Sequence, residues 1–294
     1  MRIFHEIRLE RMFAKFYQPT AELQSLVLHY MLAHVPYAGE GGAVGVVKPF
    51  PPAPEQCLYF YPRGEVWNYN YRLERDQLSP RSIVVGPQVS RVDLRFSTDH
   101  LVICVAFRPG GLHRLLGTPM AELLDYPVES DLLLGSGVRQ ISEQLTDPTL
   151  PYNQMIALVE SFVLQQARRI RVAPRPIDKV LPLLQAGVVP SLDWLADAAC
   201  LSARQFERNC YERLGIGPKL FARIGRFSRA FRLKDHHPDL DWLSVALLTG
   251  YSDYKHLVRD CKEFAGVTPP SLLSADAVHP TRVYTNMPKE VVKL

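Results

Sequence analysis

Up to about residue 110 the hydrophobic positions fall in short runs broken by Pro and Gly: VGVVKPFPPAPEQCLYFYPRGEVWNYNYRLE, then SPRSIVVGP and HLVICVAFRPGG. No helical period is sustained through them, so they predict the strands of an all-β unit, a barrel or a sandwich. From Leu112 the spacing changes. GLHRLLG, PMAELLD, GVRQISEQL and YNQMIALVESFVLQQARRI carry apolar residues at i, i+3, i+4 and i+7, which predicts a run of helices. RVAPRP, at 171–176, interrupts them with two prolines and two arginines and predicts a linker. Beyond it the chain reads as helices of about ten to fifteen residues separated by Gly, Pro or Ser. The expected class is α+β. A β-rich, barrel-like domain with following helices fills 1–170, a linker 171–177, an all-α domain 178–275 and a tail 276–294.

The all-α part repeats itself. Ala196, Cys200, Leu201 and Ser202 return fifty residues later as Ala246, Gly250, Tyr251 and Ser252. Phe206, Arg208, Cys210, Gly215 and Pro218 return fifty-one residues later as Leu257, Arg259, Cys261, Gly266 and Pro269, so a one-residue slip is expected inside the helix after the serine. Each copy opens with an amphipathic helix, SLDWLADAA or LDWLSVALLT, followed by a tight turn and a Ser or Asp able to cap a second helix. That is a helix-turn-helix pattern, present twice.

In the second helix of the first copy, SARQFERNCYERLG, Phe206 and Cys210 share an inner face while Arg204, Gln205 and Arg208 point outward. In the second copy Tyr254, Lys255 and Arg259 are expected in the corresponding places. Long polar side chains on a helix of this kind reach base edges in a major groove, Arg pairing with guanine and Gln with adenine. Ser202, Lys219, Arg223, Arg226 and Ser252 are expected to position phosphates.

Charge sharpens the picture only when read by position. The whole chain, 294 residues with 34 Lys+Arg against 30 Asp+Glu, has a net charge of +4, too small to name a partner. Between Leu201 and Lys234, however, nine cations face two acids, a surplus of seven. PKLFARIGRFSRAFRLK, at 218–234, spaces Arg at three-residue steps among apolar residues, the pattern of a helix packed on one side and facing phosphates on the other.

Residues 178 to about 273 resemble the DNA-binding domain of the AraC/XylS family of bacterial transcription regulators. The resemblance rests on SARQFER at Ser202–Arg208, GIGPKLFARIGRF at Gly215–Phe227 and GYSDYKHLVRDCKEFAGVTP at Gly250–Pro269. It implies two helix-turn-helix units joined by one long helix, here roughly Pro218 to Leu233, that enter successive major-groove faces about 34 Å apart. The upstream FRPGGLHRLLGTPMAELLDYPVESDLLLG and VVGPQ are similar to a recurring N-terminal partner of such domains, which implies effector sensing or dimerisation. In such a regulator, expected as an activator, the resemblance makes His256 a packing or phosphate-contact residue, and the partners would be promoter DNA, RNA polymerase, a small-molecule effector and a second copy of the chain. The sequence departs from the family pattern at Cys200, where Gly is usual, and at Cys210 and Cys261, where a core Phe is usual.

Other chemistry is sparse. Five cysteines without C-x-x-C suggest reduced thiols, and nine scattered histidines form neither H-x-H nor H-E-x-x-H, so no metal or cofactor is expected. No Walker loop, G-x-S-x-G or G-x-G-x-x-G occurs, and the reading is of a non-enzyme. The alternative is a small-molecule-binding or cupin-like enzyme with an accessory DNA-binding domain, but His100 and His113 alone do not supply a cupin's ligand set. The longest apolar stretch, Leu101 to Phe107, is far too short to span a bilayer, which leads to the expectation of a cytoplasmic protein free of membrane contact. Tyr59, Tyr61 and Trp67, with Arg108 for an acidic group, are the candidates for an effector pocket.

Overall fold

The computed structural model describes residues 3–9, 12–35, 47–97, 99–170, 172–186 and 191–277. Its N-terminal strands are β1 (Ile3–Leu9), β2 (Met12–Tyr17), β3 (Val27–Val35), β4 (Val47–Phe50), β5 (Gln56–Arg63) and β6 (Val66–Asn70). They continue as β7 (Arg75–Leu78), β8 (Ser82–Val85), β9 (Val92–Phe96), β10 (His100–Phe107) and β11 (Val128–Glu129). Two antiparallel sheets result, ordered β1-β2-β3-β10-β5-β8-β11 and β4-β9-β6-β7. Among the described residues no strand of one sheet pairs with the other, so the β-rich part expected as a barrel or a sandwich takes the form of two open sheets.

The central strand β10 shows why the run from Leu101 to Phe107 is apolar throughout: all eight residues of the strand are buried, on both faces. Leu101, Ile103, Val105 and Phe107 join a core built with α1 (Gly111–Leu116), α3 (Gly137–Leu145) and α4 (Tyr152–Ala167). Val102, Cys104 and Ala106 face the other way and join Phe16, Met31, Cys57 and Tyr61 in a second cluster between the sheets. The two-residue side-chain period of a strand separates these two environments. The short helix α2 (Ser130–Leu134) and a 3-10 turn at Met120–Leu123 complete this region.

A third core begins at Ile177 and unites α5 (Ile177–Ala186), α6 (Leu192–Ala198), α7 (Ala203–Leu214), α8 (Pro218–His236), α9 (Trp242–Leu248), α10 (Tyr254–Ala265) and α11 (Pro269–Ala277). Residues 172–176 lie in neither helix nor strand. Helix α8 runs through the middle of this unit, with Phe221, Ile224, Phe227 and Ala230 inward. Gly225 lets α5 close on it: a Cβ there would lie 2.7 Å from the Gln185 carbonyl oxygen, inside any tolerable contact. Cys210 and Cys261 are fully buried in the same core, where the thiol replaces bulk that Phe227 and Phe264, 5.4 Å apart between ring centroids, help to supply. Of the 276–294 tail, only the end of α11 falls within the described residues.

Candidate nucleic-acid interface and the cavity behind it

Helices α6 and α7 form one helix-turn-helix and α9 and α10 the other. Ser202 caps α7: its hydroxyl accepts from the Gln205 N–H while the Gln205 side chain accepts from the Ser202 N–H, a capping box. Asp253, not Ser252, caps α10 by accepting from the His256 N–H at 2.9 Å. Both helices are twelve residues long and start fifty-one apart, so the slip lies in the second turn rather than inside the helix. The extra residue is Ser252, whose hydroxyl sits 2.6 Å from His256 Nδ1.

This register re-pairs the outward residues. Lys255 matches Arg204, His256 matches Gln205 and Arg259 matches Arg208, while Tyr254 matches Ala203 and packs half-buried on the helical core. Arg204, Gln205, Arg208, Lys255, His256 and Arg259 are all exposed. Gln205 nevertheless spends its Oε1 in the cap, which leaves its amide nitrogen for other partners.

The basic band is less free than its sequence suggests. Lys219 is exposed, but Arg223 donates to Asp260 and Glu263, each at 2.7 Å. Arg226 lies over the Tyr251 ring, 4.2 Å from its centroid, and donates to the Gly250 carbonyl. Burial and the neighbouring Asp260 push the Tyr251 hydroxyl pKa well above its ordinary value, so that hydroxyl stays protonated and donates to Asp260 at 3.0 Å. Arg229 donates to the carbonyls of Gln185, Ala186 and Thr249, and Lys234 to those of Pro238 and Leu240. Arg213 is fully buried and bonded to Asp178 at 2.8 Å. Most of these cations hold helices together, and the Arg223 and Arg226 guanidinium groups are already engaged within the protein.

On the opposite side of α8 lies a cavity of about 280 Å³ between the two sheets. Tyr59 and Tyr61 line it, with their rings stacked at 6.2 Å. Trp67 and Arg108 do not. The alternation along β6 turns Val66, Asn68 and Asn70 inward and Trp67 out, where Arg95 covers it at 6.0 Å, and Arg108 instead donates to the Gln24 carbonyl. Composition alone did not reveal the remaining wall: His29 and Met31 of β3, Cys57 of β5, His100 and Cys104 of β10, and Phe227, Phe231 and Arg232 of α8. A strict count of alternate positions on β3, β5 and β10 would have found the strand residues; the α8 residues come from the far end of the chain and no local pattern marks them.

Burial pushes the His29 pKa down to about 3, with the positive field of Arg232 adding to the effect, so the ring is neutral; its Nδ1 has no hydrogen-bond partner. At the cavity's edge Arg232 donates to Glu55 at 3.2 Å, tying the β4–β5 segment to α8. Gln56 to the Leu214 carbonyl at 3.3 Å and Arg91 to the Ala265 carbonyl at 3.1 Å make further ties between the sheets and the helices.

No curated protein matches the chain. A helix-turn-helix domain family matches residues 195–274, and a domain of unknown function, DUF6597, matches residues 15–129. Similar solved structures include ToxT from Vibrio cholerae, with 10% identity, 84% of this chain and 98% of that chain covered, and a TM-score of 0.46. ToxT bound to an unsaturated fatty acid follows at 10%, 83% and 94%, with a TM-score of 0.45. The AraC-like transcriptional activator CuxR stands at 12%, 82% and 86%, with a TM-score of 0.29. Likenesses so distant transfer no residue roles. The repeat, the two capped second helices and the family match over 195–274 together make the C-terminal part of the chain a tandem helix-turn-helix domain, the architecture of a DNA-binding transcriptional regulator.

Proposed function

We propose that the chain is a non-enzymatic, cytoplasmic regulator that reads promoter DNA with α7 and α10 and takes a small-molecule effector in the cavity behind α8. The observation that carries the DNA reading is the pair of matched exposed residues, Arg204 with Lys255 and Arg208 with Arg259, on two capped helices of equal length. The domain division at 171–177, a homodimer and contact with RNA polymerase belong to the same proposal. The effector reading rests on a mostly apolar cavity that contains an unpartnered buried imidazole nitrogen, the usual mix of apolar wall and few polar groups.

Gel-shift competition with single-base variants of the bound promoter tests the first half. Arg208→Ala should cost about 1–3 kcal/mol and relax preference at one base pair. Lys219→Ala should weaken all sequences alike and lower the salt slope by about one. If neither substitution alters binding, the assigned reading surface is wrong.

A further inference from the structure

Three sulfur atoms share one patch of the cavity wall. Met31 on β3 is the direct cross-strand partner of Cys104 on β10, and Cys57 on β5 lies diagonally from Cys104 on its other side. Directly opposed side chains on an antiparallel pair stand about 5 Å apart at Cβ, and diagonal neighbours about 7 Å, within reach of one another's side-chain ends. All three line the cavity and are buried from the outside, and both cysteines are free thiols. Cys57 lies within hydrogen-bonding reach of Cys104, and that contact together with burial keeps the Cys104 thiol protonated. A core packing role does not require sulfur at all three positions on one face beside open volume.

We propose that Met31, Cys57 and Cys104 form a binding site for a soft monovalent metal ion, Cu(I). Two thiolates and a thioether are the donors that such an ion prefers. A structural Zn(II) site takes four ligands, and among the described residues no group of three or more His, Cys, Asp and Glu is assembled to provide them. On binding, Cu(I) replaces the two thiol protons with two Cu–S bonds. The ion stays in the +1 state, the protons leave to solvent, and the site changes from neutral to a net charge of −1. That charge appears in the cavity that Glu55 and Arg232 also line, so it bears on the ion pair that ties the cavity to α8. This rests on the reading that the cavity is the effector site, and makes Cu(I) the effector.

The test is anaerobic titration of the reduced full-length protein with Cu(I) against a chromogenic Cu(I) chelator. One ion per chain is expected. Cys57→Ala and Cys104→Ala should each lower affinity by at least about 100-fold, more than an outer-shell change would. Met31→Leu, which keeps side-chain volume, should lower it about tenfold, and Cys200→Ser, at an exposed thiol, should leave it unchanged. Near-ultraviolet circular dichroism reports whether each variant is folded. The absence of one-to-one binding, binding that survives in folded Cys57→Ala and Cys104→Ala variants, or binding that depends on Cys200 overturns the proposal. Gel shifts run without copper separate the two readings: DNA binding without Cu(I) binding removes only the metal site, and no DNA binding removes the regulator.

Discussion

Two residues show how a single position departs from the repeat and what it costs. Cys200 has φ 55° where its counterpart Gly250 has φ 88°, so the first turn forces a side chain into the left-handed region that the second turn gives to glycine. That conformation costs an L-residue roughly 1 kcal/mol or more. Cys200→Gly is therefore expected to raise stability by up to about 1 kcal/mol, the gain being reduced by the greater freedom of glycine in the unfolded chain. Urea unfolding checks it, and a lowered midpoint would contradict the strain. Arg213 makes the opposite case. It is one of the nine cations between Leu201 and Lys234, yet it is fully buried, bonded to Asp178, with Glu212 no nearer than 4.0 Å. Asp178→Ala should destabilise by about 3–5 kcal/mol by leaving that charge uncompensated. Asp178→Leu combined with Arg213→Met should recover much of the loss in the same unfolding assay.

At the level of elements, the sequence made the helices and their order legible because 3.6-residue periodicity and capping residues are local signals. Ser202 and Asp253 prove to be the N-caps of the second helices, and Asp241 caps α9. The register of the second copy was less legible because Ser252 and Asp253 are both good caps, and only the observed Asp253 bond to His256 N–H decides between them. The role of α8 was hidden for a different reason: an Arg every three residues reads the same whether its partner is phosphate or a carboxylate forty residues away. Asp241 gives this level a pH test. The Ser244 hydroxyl, and the N–H groups of Ser244 and Leu243, hold its carboxyl below the usual range. Its contribution is therefore complete above the unfolded value of about 3.9 and fades as pH falls through the lower folded value. Asp241→Asn retains a cap without the charge, so the wild-type advantage in melting temperature should be present near pH 6 and shrink below about pH 4. A difference that is constant with pH would mean the charge contributes nothing.

For the whole molecule the governing length is that of α8. Its 19 residues span about 28 Å at 1.5 Å per residue, the same order as the roughly 34 Å of one duplex turn. Gly225 and the Arg229 bonds to Gln185 and Ala186 clamp α5 along it, and Arg223 with Asp260 locks α10 to it. The connector is thus a strut rather than a tether, and the two readers have one separation. A spacing series in the promoter distinguishes these cases. Inserting about 5 base pairs between the segments read by α7 and α10 puts the second on the far face of the duplex, and affinity should fall to that of one helix-turn-helix. Inserting about 10 restores the face but adds about 34 Å, which a strut cannot stretch to cover, so binding should stay weak. A flexible connector, or two readers on separate protomers joined by a long linker, would instead recover affinity at 10. Fluorescence anisotropy with the three duplexes reads the difference, and recovery at 10 would show that the bonds along α8 do not fix the spacing.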